Sequence, residues 1–574
     1  MKPFLYIISF LVVLNINSPK TGCSNKGTDK TLSPANSTID NRSLNNNNSY
    51  KTINVSELQP EGKIITPEMF GAVGDGLIHK LSEKFSTLEE ARKIYPNVVD
   101  LDITIDGAAF QKAVDQASLD KGEVLAEKNY LINYPISIKD NVIIDGNNIG
   151  KLTNKRTRSN NTFNLAFLFG DHSVTAFKNN TNDGRYAMYD VNGGVAAGQN
   201  FLTLTNQADI KAFKPGQLIM VVSSYKRSQA GYENTVLPYH NTICKIIKIE
   251  DNKLFFEFPI DENITDVQIA ANGTLDPKAG INYGGVQNAT LRNMTIDASQ
   301  ITQRSYAYNC HIDNIKLYNA IRLVGINAMS HCTYTNITGT FSWRCMEIKI
   351  GTSDVLIKNI NATYKAIDGY PQPVDAISFG QYNRNVTVDS FNIDFNDADP
   401  KISIINFHSR KNTVSNGTIT CKNLTSAFVT FYNEHYINDP KFGCYGNTLN
   451  NVKFYGGTGM KGVLAIGEGT GSKNKEPGKK SWAQEKKAAT RKNNTDNNTE
   501  DDTDEIKAAP TADVAPNSNI IENCLFDGGS SNSLVFLRSG LNNTVRNCIF
   551  THASLKVSPD FKSNNTISNN KVTN

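Results

Sequence analysis

The sequence predicts an all-β fold, a right-handed parallel β-helix, and three observations predict it. Ten short segments down the C-terminal two-thirds repeat one pattern, an Asn followed two or three positions later by an aliphatic residue or Phe. Their registers fall at 293, 314, 336, 359, 390, 416, 451, 523, 547 and 569, so most steps are 21 to 26 residues. Each repeat holds short runs of period two, such as Ala320 to Val324 and Met346 to Ile350, joined by Gly, Asn and Ser turns. Leu does not recur and no helical stretch separates the runs, which sets a leucine-rich repeat aside. Cysteine keeps the same register: Cys310 and Cys332 each precede their Asn by four residues, while Cys524 and Cys548 directly follow theirs. A solenoid satisfies all three, because each turn hydrogen-bonds to the next at roughly 4.8 Å and equivalent side chains stack in columns. In such a column Asn tolerates left-handed backbone angles and its amide bonds to the coils above and below. The stacked cysteines read as small buried hydrophobes, with disulfide bridging distance as the alternative.

Taken from the N-terminus, Met1-Lys2-Pro3 and the apolar run Phe4 to Ile16 read as an export signal over residues 1–22, the run being too short to span a bilayer. Cys23, after Thr21-Gly22 and before a polar tract, resembles a bacterial lipoprotein acceptor, with Lys20 where that motif usually carries an aliphatic residue. The expected destinations are the periplasm, an outer membrane through a lipid on Cys23, or the medium. Residues 23–60, rich in Asn, Ser, Thr and Lys, read as a flexible linker. The net charge of +4 is too small to imply a nucleic-acid partner, and 39% hydrophobic residues in 574 suffice for a long core.

The β-helix is expected over residues 61–574. Near its start stand Phe70-Gly71-Ala72-Val73-Gly74-Asp75-Gly76 and Ile105-Asp106-Gly107-Ala108-Ala109-Phe110-Gln111-Lys112-Ala113-Val114. Together they resemble the entry motif of the pectate-lyase-like superfamily, which also includes polygalacturonase-type hydrolases and phage tailspikes. The residues from Leu77 to Thr104 are inserted between its halves. The glycines allow a tight turn, and Ala109 to Ala117 form a helix that can cap the open end of the solenoid, so Asp75 and Asp106 read as turn or cap residues. The resemblance implies the fold and a carbohydrate-active protein, and says nothing of the reaction. Alternating runs around Phe213 to Val222 and Cys244 to Ile249, then Leu254 to Phe258, predict a small β subdomain inserted over 195–270. The low-complexity stretch 472–517 fits between registers 451 and 523 as a loop, not a domain.

Chemistry is expected where the coils leave material over. The steps 359 to 390 and 416 to 451 are long, so Lys365 to Val374 with Tyr370, and Asn433 to Tyr445 with Glu434, His435 and Tyr436, are candidate cleft walls. If Ile321, Leu323, Ile348, Ile377, Phe379, Ile405 and Phe407 point inward, then Arg322, Glu347, Lys349, Ser378, Asn406 and His408 point out, and Arg410 and Lys411 extend the strip. This cation-rich floor suits an acidic glycan. Abstraction of the C5 proton of a uronate needs a donor on the carboxylate and a base near C5. Lys349 or His408 is the candidate base, Arg322 or Arg410 the carboxylate clamp, and Tyr370 or Tyr436 the proton donor. Asp375, Asn406, Lys411, Glu434, His435 and Tyr436 are expected to bind substrate. No cofactor is required; Asp394, Asn396, Asp397 and Asp399 read as acidic turn chemistry, and calcium is the metal such an oxygen-rich loop would take.

Three functions follow. The first is an exported enzyme acting by β-elimination on uronate-containing glycan, a polysaccharide lyase, or a dehydratase if water leaves. The second is a glycoside hydrolase, for which Glu347 with Asp375 supplies the two carboxyl groups, the adjacent Asp pair of polygalacturonase-type members being absent from the coils. The third is a non-catalytic glycan-binding protein.

Overall fold

A computed structural model describes residues 55–154, 165–169, 186–226, 236–264, 267–272, 285–301, 307–327, 329–349, 351–367, 374–380, 383–398, 400, 403–423, 427–432, 443–457, 462–467, 516–529 and 533–573. The backbone pairings wind it into the expected solenoid, a 27-stranded parallel assembly in which each coil pairs with the next; parallel crossovers of this kind are right-handed. One column of strands runs from Thr290–Arg292 through His311–Asp313 and Thr333–Thr335 to Thr566–Ser568. After a one-residue corner the chain enters a second column, from Met294–Asp297 to Lys571–Thr573. A third carries Asp375–Phe379, Ile405–Phe407 and Val429–Phe431.

The corner residue explains the recurring Asn. Asn293, Asn314, Asn336, Asn359, Asn416, Asn451, Asn523, Asn547 and Asn569 all have φ between 50° and 57°, and at the fifth register Ser390 takes the same conformation. Their amides run along the stack, Asn359 Nδ2 donating to Asn336 Oδ1 at 2.9 Å and Asn451 Nδ2 to Asn416 Oδ1 at 2.8 Å. Asn416→Ala is therefore expected to cost about 1–2 kcal/mol from the left-handed backbone alone, and Asn416→Gly less, measured by denaturant unfolding. A second, buried ladder was not foreseen: the backbone amides of Asn412, Asn447 and Asn519 each donate at 3.0 Å to the side-chain oxygen of Asn447, Asn519 and Asn543 on the next coil.

Aromatic columns fill the interior. Phe379, Phe407 and Phe431 stack at 4.9 and 4.5 Å, and Phe454, Phe526 and Phe550 at 4.9 and 5.3 Å. All eight described cysteines are buried free thiols, and Cys310 N donates to Cys332 Sγ at 3.4 Å, so the pair stacks as the register required. His311, beside that pair, bonds through Nδ1 to Thr333 Oγ1 at 3.0 Å. Burial pushes its imidazole down to about 4. The unfolded chain then takes up a proton between about pH 6.5 and 4 that the folded chain refuses, so stability falls as pH falls through that window. The expected loss is about 3 kcal/mol, absent in His311→Gln and measured by unfolding at pH 7 and pH 4.

At the entrance, the helix Ile105–Asp120 lies across the first coil, and Thr104 caps it by accepting from Gly107 N. Asp106 is a structural anchor: Oδ1 accepts from Val73 N at 2.7 Å and Gly74 N at 3.1 Å, and Oδ2 from Leu131 N at 3.0 Å. The linker expected to reach residue 60 ends sooner. Arg292 Nη1 donates to Val55 O at 2.9 Å and Leu58 O at 2.8 Å, which docks that stretch on the solenoid. The export signal, Cys23 and the rest of the linker lie outside the described residues. Among the described residues, no helix is long and apolar enough to cross a membrane.

The inserted subdomain is a six-stranded sheet whose strands run from Tyr186 to Asn272, beyond the expected 195–270 on both sides. Its Asp261 and Glu262 meet two guanidiniums of the solenoid that are 0% exposed: Arg384 Nε donates to Asp261 Oδ1 at 2.9 Å, and Arg410 Nε and Nη2 to Glu262 at 2.9 and 2.6 Å. The stretch 472–517 lies almost wholly outside the described residues, yet Thr448–Asn450 pairs directly with Ile520–Glu522, so the chain resumes on the adjacent coil.

Candidate functional site

Register in the third column decides which side chains share a wall. Ile348 pairs with Phe379, Phe379 with Phe407 and Phe407 with Phe431. These residues face the core, so the next residue of each coil, Lys349, Gly380, His408 and Tyr432, forms one outer file. Backbone bonds from Gly380 N to Ile348 O, His408 N to Phe379 O and Tyr432 N to Phe407 O, at 2.9 to 3.2 Å, carry the pairing through those positions. Glu347, Ser378, Asn406 and Thr430 form the neighbouring file. Strand alternation thus brings together Glu347, Lys349, Asn406 and His408 as expected.

The first file meets a cation cluster. Glu347 is 5% exposed, and its carboxylate receives Arg322 Nε at 2.5 Å, Arg344 Nη1 at 2.7 Å and Lys349 Nζ at 2.6 Å. Burial alone would push that carboxyl up, but Arg322, Arg344 and Lys349 together hold it well below the usual carboxylate range. Arg344 also reaches Asp375 Oδ1 through Nε at 3.3 Å and donates to Ser378 Oγ at 3.4 Å. Asp375 behaves oppositely. It is 1% exposed, and burial with Glu347 nearby raises it despite Arg344, Lys349 and His408. Trp343 braces the arginines, its ring lying 4.3 Å from the Arg322 guanidinium and 4.8 Å from that of Arg344. Gly380 gives Lys349 its course, since a Cβ there would stand 2.9 Å from Lys349 Cγ.

Farther up the stack, the His408 ring lies 4.0 Å from that of Tyr432, both half-buried. Asn406 Nδ2 donates to Asp375 Oδ2 at 3.3 Å, and Thr430 Oγ1 to Asn406 Oδ1 at 2.7 Å. Both Asp375 and Asn406, expected to contact substrate, are buried within the wall.

Other expectations are corrected. Arg410 does not join the strip but turns into the subdomain to pair with Glu262, and Lys411 Nζ follows it to Glu262 Oε1 at 3.0 Å. Lys349, the other candidate base, places its Nζ 2.6 Å from Glu347 Oε1. Asp394, by contrast, accepts from Asn396 N at 3.0 Å and Thr420 Oγ1 at 3.3 Å, in keeping with the expected turn chemistry. Tyr370, Glu434, His435 and Tyr436 lie outside the described residues. Arg344, Trp343 and Tyr432 were missed. Trp343 is one of only two tryptophans in the chain, and the sequence triads Ser378-Phe379-Gly380, Asn406-Phe407-His408 and Thr430-Phe431-Tyr432 would have aligned Tyr432 with His408.

No family model matches the chain, and no curated protein does. Among solved structures it resembles the tailspike gp61 of Pseudomonas phage phi297, at 16% identity over 86% of this chain and 76% of that one, with a TM-score of 0.45. It also resembles the tailspike gp49 of Pseudomonas phage LKA1, at 13% identity over 88% and 84%, with a TM-score of 0.42. A third is PfbA, a surface adhesin of Streptococcus pneumoniae, at 12% identity over 89% and 92%, with a TM-score of 0.38. At these identities and scores the likenesses assign neither family nor reaction, and the fold rests on the strand pairings themselves.

Proposed function

We propose that the outer wall of the third column binds a uronate-containing glycan and cleaves it by β-elimination. The observation that carries this reading is the convergence of Arg322, Arg344 and Lys349 on a single carboxylate, with Lys349 in the same outer file as His408 two coils away. Glu347 preorganises the three cations, and a sugar carboxylate arriving beside them meets donors already in place. Neutralising that carboxylate acidifies the C5 proton, and the imidazole of His408 is the side chain in the file that can accept it. The O4-linked sugar, or water in a dehydratase, leaves from C4. The motif resemblance to the pectate-lyase-like superfamily bears on a carbohydrate-active role and not on the reaction; export by residues 1–22 and attachment through Cys23 belong to the same proposal.

A second reading has one observation in its favour. Asp375 is raised while Glu347 is held down, and carboxyl groups pushed apart in this way suit the acid and base of a glycoside hydrolase. Against it, three cations occupy Glu347, and Asp375 is 1% exposed beneath the wall. Incubation of the purified protein with uronate glycans separates the readings. Growth of the ultraviolet absorbance of an unsaturated uronate supports elimination, and new reducing ends without it support hydrolysis. Binding with neither product leaves a glycan-binding protein.

A further inference from the structure

We propose that Tyr432 donates the proton to the leaving oxygen and that its position beside His408 restricts the site to uronates whose C5–H and C4–O bonds lie on one face of the ring. This rests on the elimination reading above and names the substrate class and a catalytic residue within it.

Three features of the wall carry the inference. His408 and Tyr432 occupy the same file on adjacent coils, their ring centroids 4.0 Å apart at 59°. Backbone pairing from Tyr432 N to Phe407 O at 3.2 Å fixes that neighbourhood, so it does not depend on a loop. The next position in the file is Gly467, whose amide bonds to Phe431 O at 3.0 Å and which adds no side chain beside Tyr432.

The chemistry closes on these two groups. His408 removes the C5 proton, the C5–H electron pair becomes the C4=C5 double bond, and the C4–O4 bond breaks with its electrons on O4. The Tyr432 hydroxyl supplies the proton that turns O4 into an alcohol. Imidazolium and phenolate remain as neighbours, and transfer of the proton between them restores the starting state without a co-reactant. An acid and a base standing side by side reach only one face of a pyranose. They therefore serve syn elimination, for which the C5 hydrogen and the C4 oxygen must lie on the same face. D-Glucuronate and D-mannuronate meet that condition. D-Galacturonate and L-guluronate place the two bonds on opposite faces, where a donor next to the base cannot follow.

The test presents polymannuronate, hyaluronan, polyguluronate and polygalacturonate to the full-length protein and follows the absorbance of the unsaturated product. Activity confined to the first two is expected. Y432F should lower that rate by about 100-fold or more, with an unchanged unfolding midpoint. On a C4-fluoro uronide, whose leaving group departs without a proton, Y432F should recover most of the wild-type rate. Elimination from polyguluronate or polygalacturonate overturns the inference, as does a Y432F variant that keeps its rate or is equally impaired on the fluoride. If wild-type protein gives new reducing ends without absorbance, or acts on none of the four, the elimination reading fails and takes the inference with it.

Discussion

His408→Ala is expected to lower the elimination rate by about 10²–10⁴-fold, the range for loss of a positioned general base. The fall should appear in kcat, because the imidazole acts as the C5 proton moves and contributes little to ground-state binding. Lys349→Ala should behave differently. Its ammonium lies 2.6 Å from Glu347 in the clamp, so removing it should raise KM more than it lowers kcat. His408 is half-buried and its backbone amide is held by Phe379 O at 3.1 Å, so the alanine variant keeps the file intact, which an unchanged unfolding midpoint would confirm. Full elimination by His408→Ala would remove it from the base role and reopen the site to the hydrolytic reading of Asp375 and Glu347.

Glu262→Ala should destabilise the protein by about 3–5 kcal/mol. Glu262 takes two hydrogen bonds from Arg410, which is 0% exposed, and one from Lys411, so its loss removes the carboxylate that pairs with a buried guanidinium at 2.6 Å. The subdomain anchor should fail first, read by limited proteolysis within residues 186–264 alongside denaturant unfolding. The double variant Glu262→Leu with Arg410→Met removes both charges, and it should recover much of the loss. Equal damage from the single and double variants would mean that packing, not charge pairing, holds the subdomain. Elimination should survive in the folded fraction, because Arg410 belongs to the anchor and not to the wall proposed to act on the glycan.

The fold was legible because the corner conformation is written in one residue type. Asn tolerates φ near 55°, and nine of the ten register positions carry it; Ser390 shows that the corner, not the letter, is what repeats. Alternation was equally reliable where strands are regular, placing Glu347, Lys349, Asn406 and His408 on one wall. It failed at strand ends. Arg410 follows His408 by two residues and would face the same way in an ideal strand, but the strand stops at Phe407 and the side chain turns to Glu262. Arg344 was missed for a related reason, since the pairing shifts register around Arg322 and no simple alternation assigns its direction. The partners of Arg410 and Arg384 come from more than 120 residues away in an inserted sheet, a distance across which local pattern carries no information.

The most direct test of the central claim is the mass of the fragments released from an acidic glycan that the protein cleaves. If the Arg322, Arg344 and Lys349 cluster serves elimination by His408, each new non-reducing end is one water lighter than the hydrolytic product. Fragments carrying the full mass of hydrolysis, with no unsaturated ends, would contradict it.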